Sequence, residues 1–362
     1  MGLFTNKKGW TLVELIIVVA IIGIIFVPLV KIMHSVLVGW WSGRAKLTIQ
    51  EDARDILYFI TNDLKASKRT TVGSVIYNGS LEKFSGDPED QSTWAPYFWY
   101  ASDIDDIEYE FTESTNVVHS GMYSLRIRED TSILYTQDIV IPYESKYIFS
   151  YWVRATSGTP SVVAELTATG FSVSVDTSFP VGTVPSNWRQ VVWVGTVPQC
   201  DDLRIRISVY NVHTTELDEV IVDDIALTPK EMVLLDEENP DNENIDAFNY
   251  ESQTSGGRTE LDNFRLLIST RTDNKGRIIN RLMRYWVNIE GETTNPQLKT
   301  LDYNDIGENV YKVIFRYPQP DSVIESKGKD LPIEFELVMR ITMPGGGERF
   351  YRTRTSIYPM IW

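Results

Sequence analysis

The chain of 362 residues predicts an α+β fold, in which an all-β segment lies between a long N-terminal helix and a C-terminal sheet. An uncharged apolar run near the N-terminus continues into a 3.6-residue amphipathic period, which is typical of one long helix. Short alternating runs separated by turn residues then extend to position 229, which is typical of a β-sandwich. After an acidic, loop-like stretch the alternation returns, which predicts the final sheet.

The first half of the helix is predicted to span a membrane. Residues 15–30 carry no charge, and the apolar character resumes past Lys31 as far as Val38. A span of about 12–38 is therefore close to the roughly 20 residues that cross a bilayer. Lys7 and Lys8 precede it and indicate a cytoplasmic N-terminus, with the bulk of the chain outside the cytoplasm.

The second half of the helix is predicted to be amphipathic and to pack on a sheet. Its apolar side chains recur at the helical period, whereas charged and polar side chains take the other face. The predicted helix covers residues 10–70, and its apolar face consists of Ala53, Ile56, Leu57, Ile60 and Leu64.

The N-terminal stretch "KKGWTLVE" resembles the processing site of type IV prepilins and type II secretion pseudopilins, in which a basic leader ends in glycine and a glutamate follows five residues later. The resemblance implies a leader of residues 1–9, which prepilin peptidase removes by cutting between Gly9 and Trp10 before it methylates the new N-terminus. Most members of the family have phenylalanine where this chain has Trp10, and tryptophan keeps a large apolar side chain there.

Glu14 places an acid in a segment that is otherwise suited to lipid. A buried charge in a membrane requires a partner. Cleavage would create an ammonium group on Trp10, and a neighbouring helix displaced along its axis could pair that group with Glu14, which would then set the register of assembly. The alternative is a glutamate that only lies at the headgroup level.

The middle segment, residues 74–229, is predicted to be an inserted jelly-roll sandwich. Alternation places two sets of side chains in its core: Tyr147, Phe149, Tyr151 and Val153, and Leu203, Ile205, Ile207 and Val209. The pieces "NGSLE", "HSGMYSLRI", "YIFSYWVRA", "NWRQVVW" and "VIVDDIAL" resemble, in this order, jelly-roll carbohydrate-binding modules. That resemblance covers about residues 75–227 and also implies that Trp94 and Trp188 are buried.

The same resemblance implies a structural calcium ion that ties the first strand to the last. It maps onto Glu82 and Asp223, with Asp224 as the alternative to Asp223. Calcium prefers hard oxygen ligands of this kind. The other interpretation is that these acids are surface carboxylates.

Alternation also predicts a ligand face. If Tyr151 and Val153 point inward, Trp152 and Arg154 point outward, and Arg206 and Tyr210 do so on a second strand. Aromatic rings stack on sugar rings and arginine donates to hydroxyl groups, so these residues, with Trp99 from the aromatic stretch "WAPYFWY", form a candidate glycan platform. The alternative is that a loop covers Trp152 and that the arginines pair with acids such as Glu165.

The C-terminal segment, residues 230–362, contains the alternating runs "RLMRYWVNI", "VYKVIFRYP", "LPIEFELVMRITM" and "RFYRTRTSIYP". These runs, with "DARDILYFITNDLKAS" at the end of the helix, resemble the larger minor pseudopilins, namely the J-type subunit of type II secretion and its pilus counterparts. The pilin would then be discontinuous, with the sandwich inserted between its helix and its sheet. An insertion is tolerated where its two ends lie close together.

Composition limits the functional classes. The net charge of −16 disfavours a nucleic-acid partner, and Cys200, the single cysteine, rules out an intrachain disulfide or a cysteine-based metal cluster. Only three histidines are present, and neither a serine-nucleophile motif nor a phosphate-binding glycine loop occurs. The sequence therefore predicts a non-enzymatic protein.

These observations predict a minor pilin or pseudopilin of a type IV pilus or a type II secretion filament. Its expected partners are prepilin peptidase, the membrane, and other pilins that contact its helix. The expected location is the inner membrane, by a single pass, and then a surface or periplasmic filament. The sandwich is expected to bind polysaccharide for adhesion or substrate presentation. The alternatives are a protein-contact or capping domain of the pilus tip and, less favoured, a component of a DNA-uptake pilus.

Overall fold

A computed structural model describes residues 11–359 except for the positions 69–70, 87–94, 102–106, 112–118, 122, 129–130, 180–186, 211–217, 236–247, 254–260, 273, 275, 277, 293–294, 318–331 and 343–346. The chain divides into two compact units: residues up to 51 with 340–351, and residues 52–339 with those from 352 onward. Glu14 belongs to the first unit, whereas the strands of the sandwich and Lys68 belong to the second.

A single long helix, α1, comprises Leu12–Lys65. It is long and apolar enough to cross a membrane, and most of its large apolar side chains from Leu12 to Trp41 are exposed. In its second half Ala53, Ile56, Ile60 and Leu64 are buried. The amphipathic period predicted this apolar face, although Leu57 is only partly buried.

Thirteen strands lie between the helix and position 229 in the described part of the chain. In order they are β1 (Phe84–Ser85), β2 (Ala95–Pro96), β3 (Trp99–Ala101), β4 (Ile107–Phe111), β5 (Tyr123–Arg128), β6 (Ser132–Tyr135), β7 (Ile139–Ile141), β8 (Ser145–Ser157), β9 (Ser161–Ala168), β10 (Phe171–Ser178), β11 (Arg189–Val197), β12 (Cys200–Tyr210) and β13 (Glu219–Pro229).

Two antiparallel sheets form the sandwich. One has the order β10-β9-β12-β6-β3, with β7 also paired to β12, and is called the six-stranded sheet. The other has the order β11-β8-β13-β5-β4 and is called the five-stranded sheet. β1 and β2 pair separately. The inner faces of the two sheets share one hydrophobic core, and both sets of core residues predicted from the sequence on β8 and β12 are buried in it.

Eight further strands follow in the described residues. They are β14 (Glu231–Leu235), β15 (Phe248–Gln253), β16 (Leu261–Thr272), β17 (Ile278–Glu292), β18 (Asn295–Glu308), β19 (Val310–Arg316), β20 (Ile333–Thr342) and β21 (Glu348–Ile357). They form two four-stranded sheets, with the orders β15-β16-β17-β18 and β14-β19-β20-β21. The rings of Phe248 and Phe315, one from each sheet, stack with their centroids 3.6 Å apart.

Contacts near the two predicted ends of the sandwich bring those ends together. The backbone N–H of Val75 donates to the carbonyl of Leu227 at 2.8 Å, and the N–H of Gly73 donates to the carbonyl of Asn249 on β15 at 2.6 Å. Ile289 of β17 is part of the sandwich core. The sandwich is thus hydrogen-bonded and packed against the sheet that contains β15 and β17.

Candidate functional site

The outer face of the six-stranded sheet carries half-exposed tyrosines and exposed arginines. Tyr210, at the end of β12, is 47% exposed, and Tyr100 on β3 is 46% exposed. Arg204 and Arg206 alternate with the buried core residues of β12 and point away from the core. Arg204 donates to Asp138 at 2.9 Å. These four side chains define what we call the tyrosine face.

The strand register aligns this face in rows. Arg206 on β12 lies opposite Leu134 of β6 on one side and opposite Glu165 of β9 on the other. Leu134 in turn lies opposite Tyr100 of β3. Directly opposed residues of antiparallel strands share a face and lie close together. A glutamate, an arginine and an aromatic ring therefore lie along one line across the sheet.

The structure separates the ligand residues that the sequence placed on one platform. Trp152 and Arg154 lie on β8 of the five-stranded sheet, whereas Arg206 and Tyr210 lie on β12 of the six-stranded sheet. Because the inner faces of the two sheets share one core, their outer faces point in opposite directions. The expectation of a single platform is therefore wrong. Alternation along a strand tells which side chains point outward, but it does not tell which sheet the strand joins.

Trp99 is a second correction. Its side chain is only 3% exposed, packs in the sandwich core, and donates its indole Nε1 to the carbonyl of Asn78 at 3.2 Å. It cannot stack on a ligand at the surface. The adjacent Tyr100 points outward instead, because successive side chains of a strand alternate between the two faces.

Trp152 is covered on one side, as the alternative interpretation of the sequence held. The ring of His119 stacks on it with centroids 3.8 Å apart, and Trp188 meets His119 edge-on at 5.5 Å. Trp188 is partly exposed and lies outside the hydrophobic core, whereas Trp94 lies outside the described residues. Trp152 therefore offers a ligand less ring surface than alternation alone indicates.

A second site is a buried cluster of carboxylates, here called the acidic cluster. It contains Glu82, Asp223, Asp224 and Glu251, all at most 9% exposed. The bulge of β13 between Asp223 and Ala226 breaks the alternation there, and Asp224 has a φ of 54°. The sequence named the first three of these acids. It did not predict Glu251, which lies on β15 of the C-terminal sheet β15-β16-β17-β18.

The two aspartates of the cluster are hydrogen-bonded by one short segment. Asp223 Oδ2 accepts the backbone N–H groups of His119 and Ser120 at 3.0 and 3.1 Å. Ser120 donates its hydroxyl to Asp224, and His119 Nδ1 lies 2.7 Å from Asp224 Oδ2. Serine, histidine and aspartate thus meet, but the serine donates to the aspartate and not to the histidine. This arrangement does not activate a nucleophile.

Lys68 is the cation of the acidic cluster. Its side chain is 2% exposed and forms an ion pair with Asp224 Oδ1. Burial alone would lower the pKa of Lys68, but the charges of Asp224, Asp223, Glu82 and Glu251 outweigh it and hold the pKa above its usual range. Although burial alone would raise the pKa of Asp224, Lys68 and His119 lower it to about 2. The pKa values of Asp223 and Glu251 are raised, chiefly by burial.

The N-terminal site residues are only partly described. Gly9 and Trp10, the predicted processing residues, lie outside the described residues. Glu14 is described, and its Oε2 accepts the backbone N–H of Thr11 at 3.0 Å, while the Thr11 hydroxyl accepts the N–H of Glu14 at 3.3 Å. This reciprocal pair is a helix capping box. "TLVE" contains the spacing of that motif, which sequence reasoning overlooked.

Among comparisons with known proteins, one family model matches the N-terminus. Residues 4–30 match the family model of the prokaryotic N-terminal methylation motif. The chain carries a prepilin-type N-terminus. That motif marks a substrate of prepilin peptidase and fits a protein anchored in the inner membrane by one helix. No curated protein matches the chain.

The β part resembles carbohydrate-binding modules among solved structures. TmCBM61, solved in complex with β-1,4-galactotriose, is 16% identical, with a TM-score of 0.31, over 43% of this chain and 98% of the module. The CBM22-1 xylan-binding domain of Paenibacillus barcinonensis Xyn10C is 15% identical, with a TM-score of 0.28, over 46% of this chain and 96% of the domain. The N-terminal cellulose-binding domain of Cellulomonas fimi β-1,4-glucanase C is 14% identical, with a TM-score of 0.24, over 37% and 97% respectively.

Proposed function

We propose that this chain is a minor pilin or pseudopilin that acts by assembly and binding, without catalysis, and that its sandwich binds polysaccharide through the tyrosine face. The assembly part is supported by the methylation motif at residues 4–30 and by the exposed apolar half of α1. The binding part is carried by one observation. Two half-exposed tyrosines and two exposed arginines share the outer face of a regular sheet.

The tyrosine face has the chemistry that a sugar chain requires. Tyrosine rings stack on the apolar faces of pyranose rings, and guanidinium groups donate to hydroxyl oxygens. The sheet holds these groups on rigid strands, so that little conformational entropy is lost on binding. An extended polymer could follow the rows that run from Tyr100 through Arg206 to Glu165.

Assembly would follow from the N-terminal half of the helix. After removal of residues 1–9, the apolar side chains of α1 would contact the helices of neighbouring subunits. Glu14 would exchange its capping contact with Thr11 for the ammonium group of a neighbour's Trp10. The sandwich would then be displayed outside the cytoplasm, on a surface or periplasmic filament.

Affinity electrophoresis of the full chain in detergent tests the binding proposal. The gels contain β-1,4-galactan, xylan, hydroxyethyl cellulose or glycogen. We expect at least one polymer to retard the protein. We expect Tyr210→Ala and Tyr100→Ala each to weaken the affinity behind that retardation about fivefold, since an aromatic stacking contact contributes about 1 kcal/mol. Tyr358→Ala is the matched control, because Tyr358 is an exposed tyrosine outside the sandwich.

The variants also locate the binding face. Trp152→Ala removes an aromatic side chain from the opposite side of the sandwich. Retardation that Trp152→Ala abolishes and that the tyrosine variants leave unchanged would move the site to the five-stranded sheet. If no polymer retards the folded protein, polysaccharide binding is refuted, and a protein-contact role for the sandwich becomes the better hypothesis.

A further inference from the structure

Lys68 lies where three parts of the chain meet. It follows the end of α1 by three residues, whereas the acids around it come from elsewhere. Glu82 and the Asp223–Asp224 pair belong to the sandwich region, and Glu251 belongs to β15 of the C-terminal sheet. The backbone N–H of Lys68 also donates to the carbonyl of Glu251 at 2.8 Å.

The acids require a cation because they are buried together. Asp223 is 0% exposed, Asp224 is 1% exposed, and Glu251 and Glu82 are 5% and 9% exposed. Like charges that are removed from water at short range destabilise a fold unless a positive charge compensates them. Lys68, a residue of the same chain, provides that positive charge through its ion pair with Asp224.

Both oxygens of Asp223, both oxygens of Asp224 and one oxygen of Glu82, which a structural calcium ion would use, already have partners. Asp223 Oδ2 accepts two backbone N–H groups, and Asp223 Oδ1 accepts the N–H of Asp224 at 2.7 Å. Asp224 accepts the Ser120 hydroxyl and forms an ion pair with the ammonium group of Lys68. Glu82 Oε1 accepts the N–H of Tyr123 at 3.2 Å. Calcium takes six to eight oxygen ligands, and here it would approach a fixed ammonium group. The acids of this site thus fit Lys68 better than they fit calcium.

We propose that the ammonium group of Lys68 takes the place of a structural metal ion in the sandwich. The cation that completes the acidic cluster is then supplied by the segment that follows the pilin helix. The same interaction joins the sandwich to α1 and to the C-terminal sheet. The sandwich would therefore be joined firmly to the end of α1 and to β15, and its stability would not depend on calcium.

Thermal unfolding of the full chain in detergent tests this directly. Wild-type protein is measured in 1 mM EDTA and in 1 mM CaCl₂, and bound metal is determined by native mass spectrometry. We expect the same Tm in both buffers and no bound calcium. A fall in Tm of about 3 °C or more in EDTA, reversed by calcium, would overturn the proposal, since a ligand that stabilises the folded state makes Tm depend on its concentration.

Two variants at Lys68 test whether its ammonium group takes the place of a metal ion in the acidic cluster. Lys68→Met keeps the apolar stem and removes the charge, and it should lower Tm by several degrees. Lys68→Ala removes the charge and opens space, so its lowered Tm should rise when millimolar calcium is added. The matched control is Lys65→Ala, because Lys65 is an exposed lysine in the last turn of the same helix.

Each result with the Lys68 variants either supports or contradicts a stated part of the proposal. A Lys68→Met protein as stable as wild type would contradict the role of the charge. A folded Lys68→Ala protein that gains no stability from calcium would contradict the exchange. If neither Lys68 variant folds, the wild-type comparison of EDTA and calcium still decides, because it requires no mutation. None of these results depends on whether the tyrosine face binds polysaccharide.

Discussion

At the scale of single residues, Glu336 on β20 shows how a buried acid is stabilised by several cations. Its side chain is 1% exposed, and its Oε2 accepts Arg316 and Arg354, each at 2.9 Å. Arg352 pairs with the other oxygen. Chiefly through the hydrogen bond from Arg352, these arginines lower the pKa of Glu336 from 4.5 to about 2. Charged hydrogen bonds of this kind exceed neutral ones in strength.

Replacing this carboxylate should destabilise the fold. We expect Glu336→Gln to lower the free energy of unfolding by about 1–2 kcal/mol, a modest value because two of the three arginines are largely exposed. Urea unfolding of the full chain in detergent at pH 7 measures this loss in the free energy of unfolding. Glu308→Gln, at an exposed glutamate at the end of β18, is the control. Equal losses in the two variants would contradict a specific role for Glu336.

The pH dependence of stability gives an independent check of the contribution that ionised Glu336 makes to the folded state. Because folding lowers the pKa of Glu336, its contribution is fully present above pH 4.5 and is lost as the pH falls toward about 2. Wild-type stability should therefore fall more steeply than that of Glu336→Gln between pH 4.5 and 2. Parallel curves for the two proteins would show that Glu336 ionisation does not contribute.

At the scale of secondary-structure elements, α1 has hydrogen bonds and an ion pair from its side chains near both of its ends. Thr11 and Glu14 cap its first turn. Near its last turn, Asp63 accepts the hydroxyl of Tyr250 on β15 and pairs with Arg284 on β17 at 3.0 Å. The guanidinium of Arg284 lies 3.7 Å from the ring centroid of Phe264. Polar contacts therefore join the end of the helix to the sheet that contains β15 and β17.

Removing the charge of Asp63 should weaken this connection. Asp63→Asn leaves Arg284 and Tyr250 without their carboxylate, and we expect a loss of about 2 kcal/mol in unfolding free energy. Asp55→Asn, at an exposed position of the same helix, should cost less than about 0.5 kcal/mol. Chemical denaturation in detergent gives the unfolding free energy of each variant for this comparison. A neutral Asp63→Asn would mean that apolar packing alone holds the helix end.

At the scale of the whole molecule, the proposed role as a pilin requires covalent processing of the N-terminus. The methylation motif covers residues 4–30, and the predicted leader ends at Gly9. We expect the protein purified from membranes of a host with prepilin peptidase to begin at Trp10 and to carry an N-terminal methyl group. Gly9→Val should leave the uncut precursor in the membrane.

Intact mass and N-terminal sequencing measure this outcome. Gly2→Val is the matched control, since it changes a glycine of the same leader away from the predicted cleavage site. A mature N-terminus at any other residue would refute the predicted site. Normal cleavage of Gly9→Val would refute the requirement for glycine.

Local patterns predicted most of the fold because they depend on neighbours in sequence. The apolar face of α1 and the inward residues of β8 and β12 follow from side-chain periodicity, which a backbone imposes whatever surrounds it. The leader motif is likewise local, so the prepilin resemblance could be read directly. Trp99 is predicted at the ligand face because it belongs to an aromatic stretch, and composition alone does not tell which ring of such a stretch is buried: Trp99 is buried, whereas its neighbour Tyr100 is half exposed.

The sequence by itself thus determined the long apolar helix, the prepilin-type N-terminus, the β-sandwich and its core faces. Only the tertiary structure decided that Trp152 and Arg206 lie on opposite sides of the sandwich, since that depends on which sheet each strand joins. It alone also brought Lys68 and Glu251 to the aspartates of β13. These residues are far apart in the chain, and electrostatic interactions between them depend on distance in space, which sequence patterns do not encode.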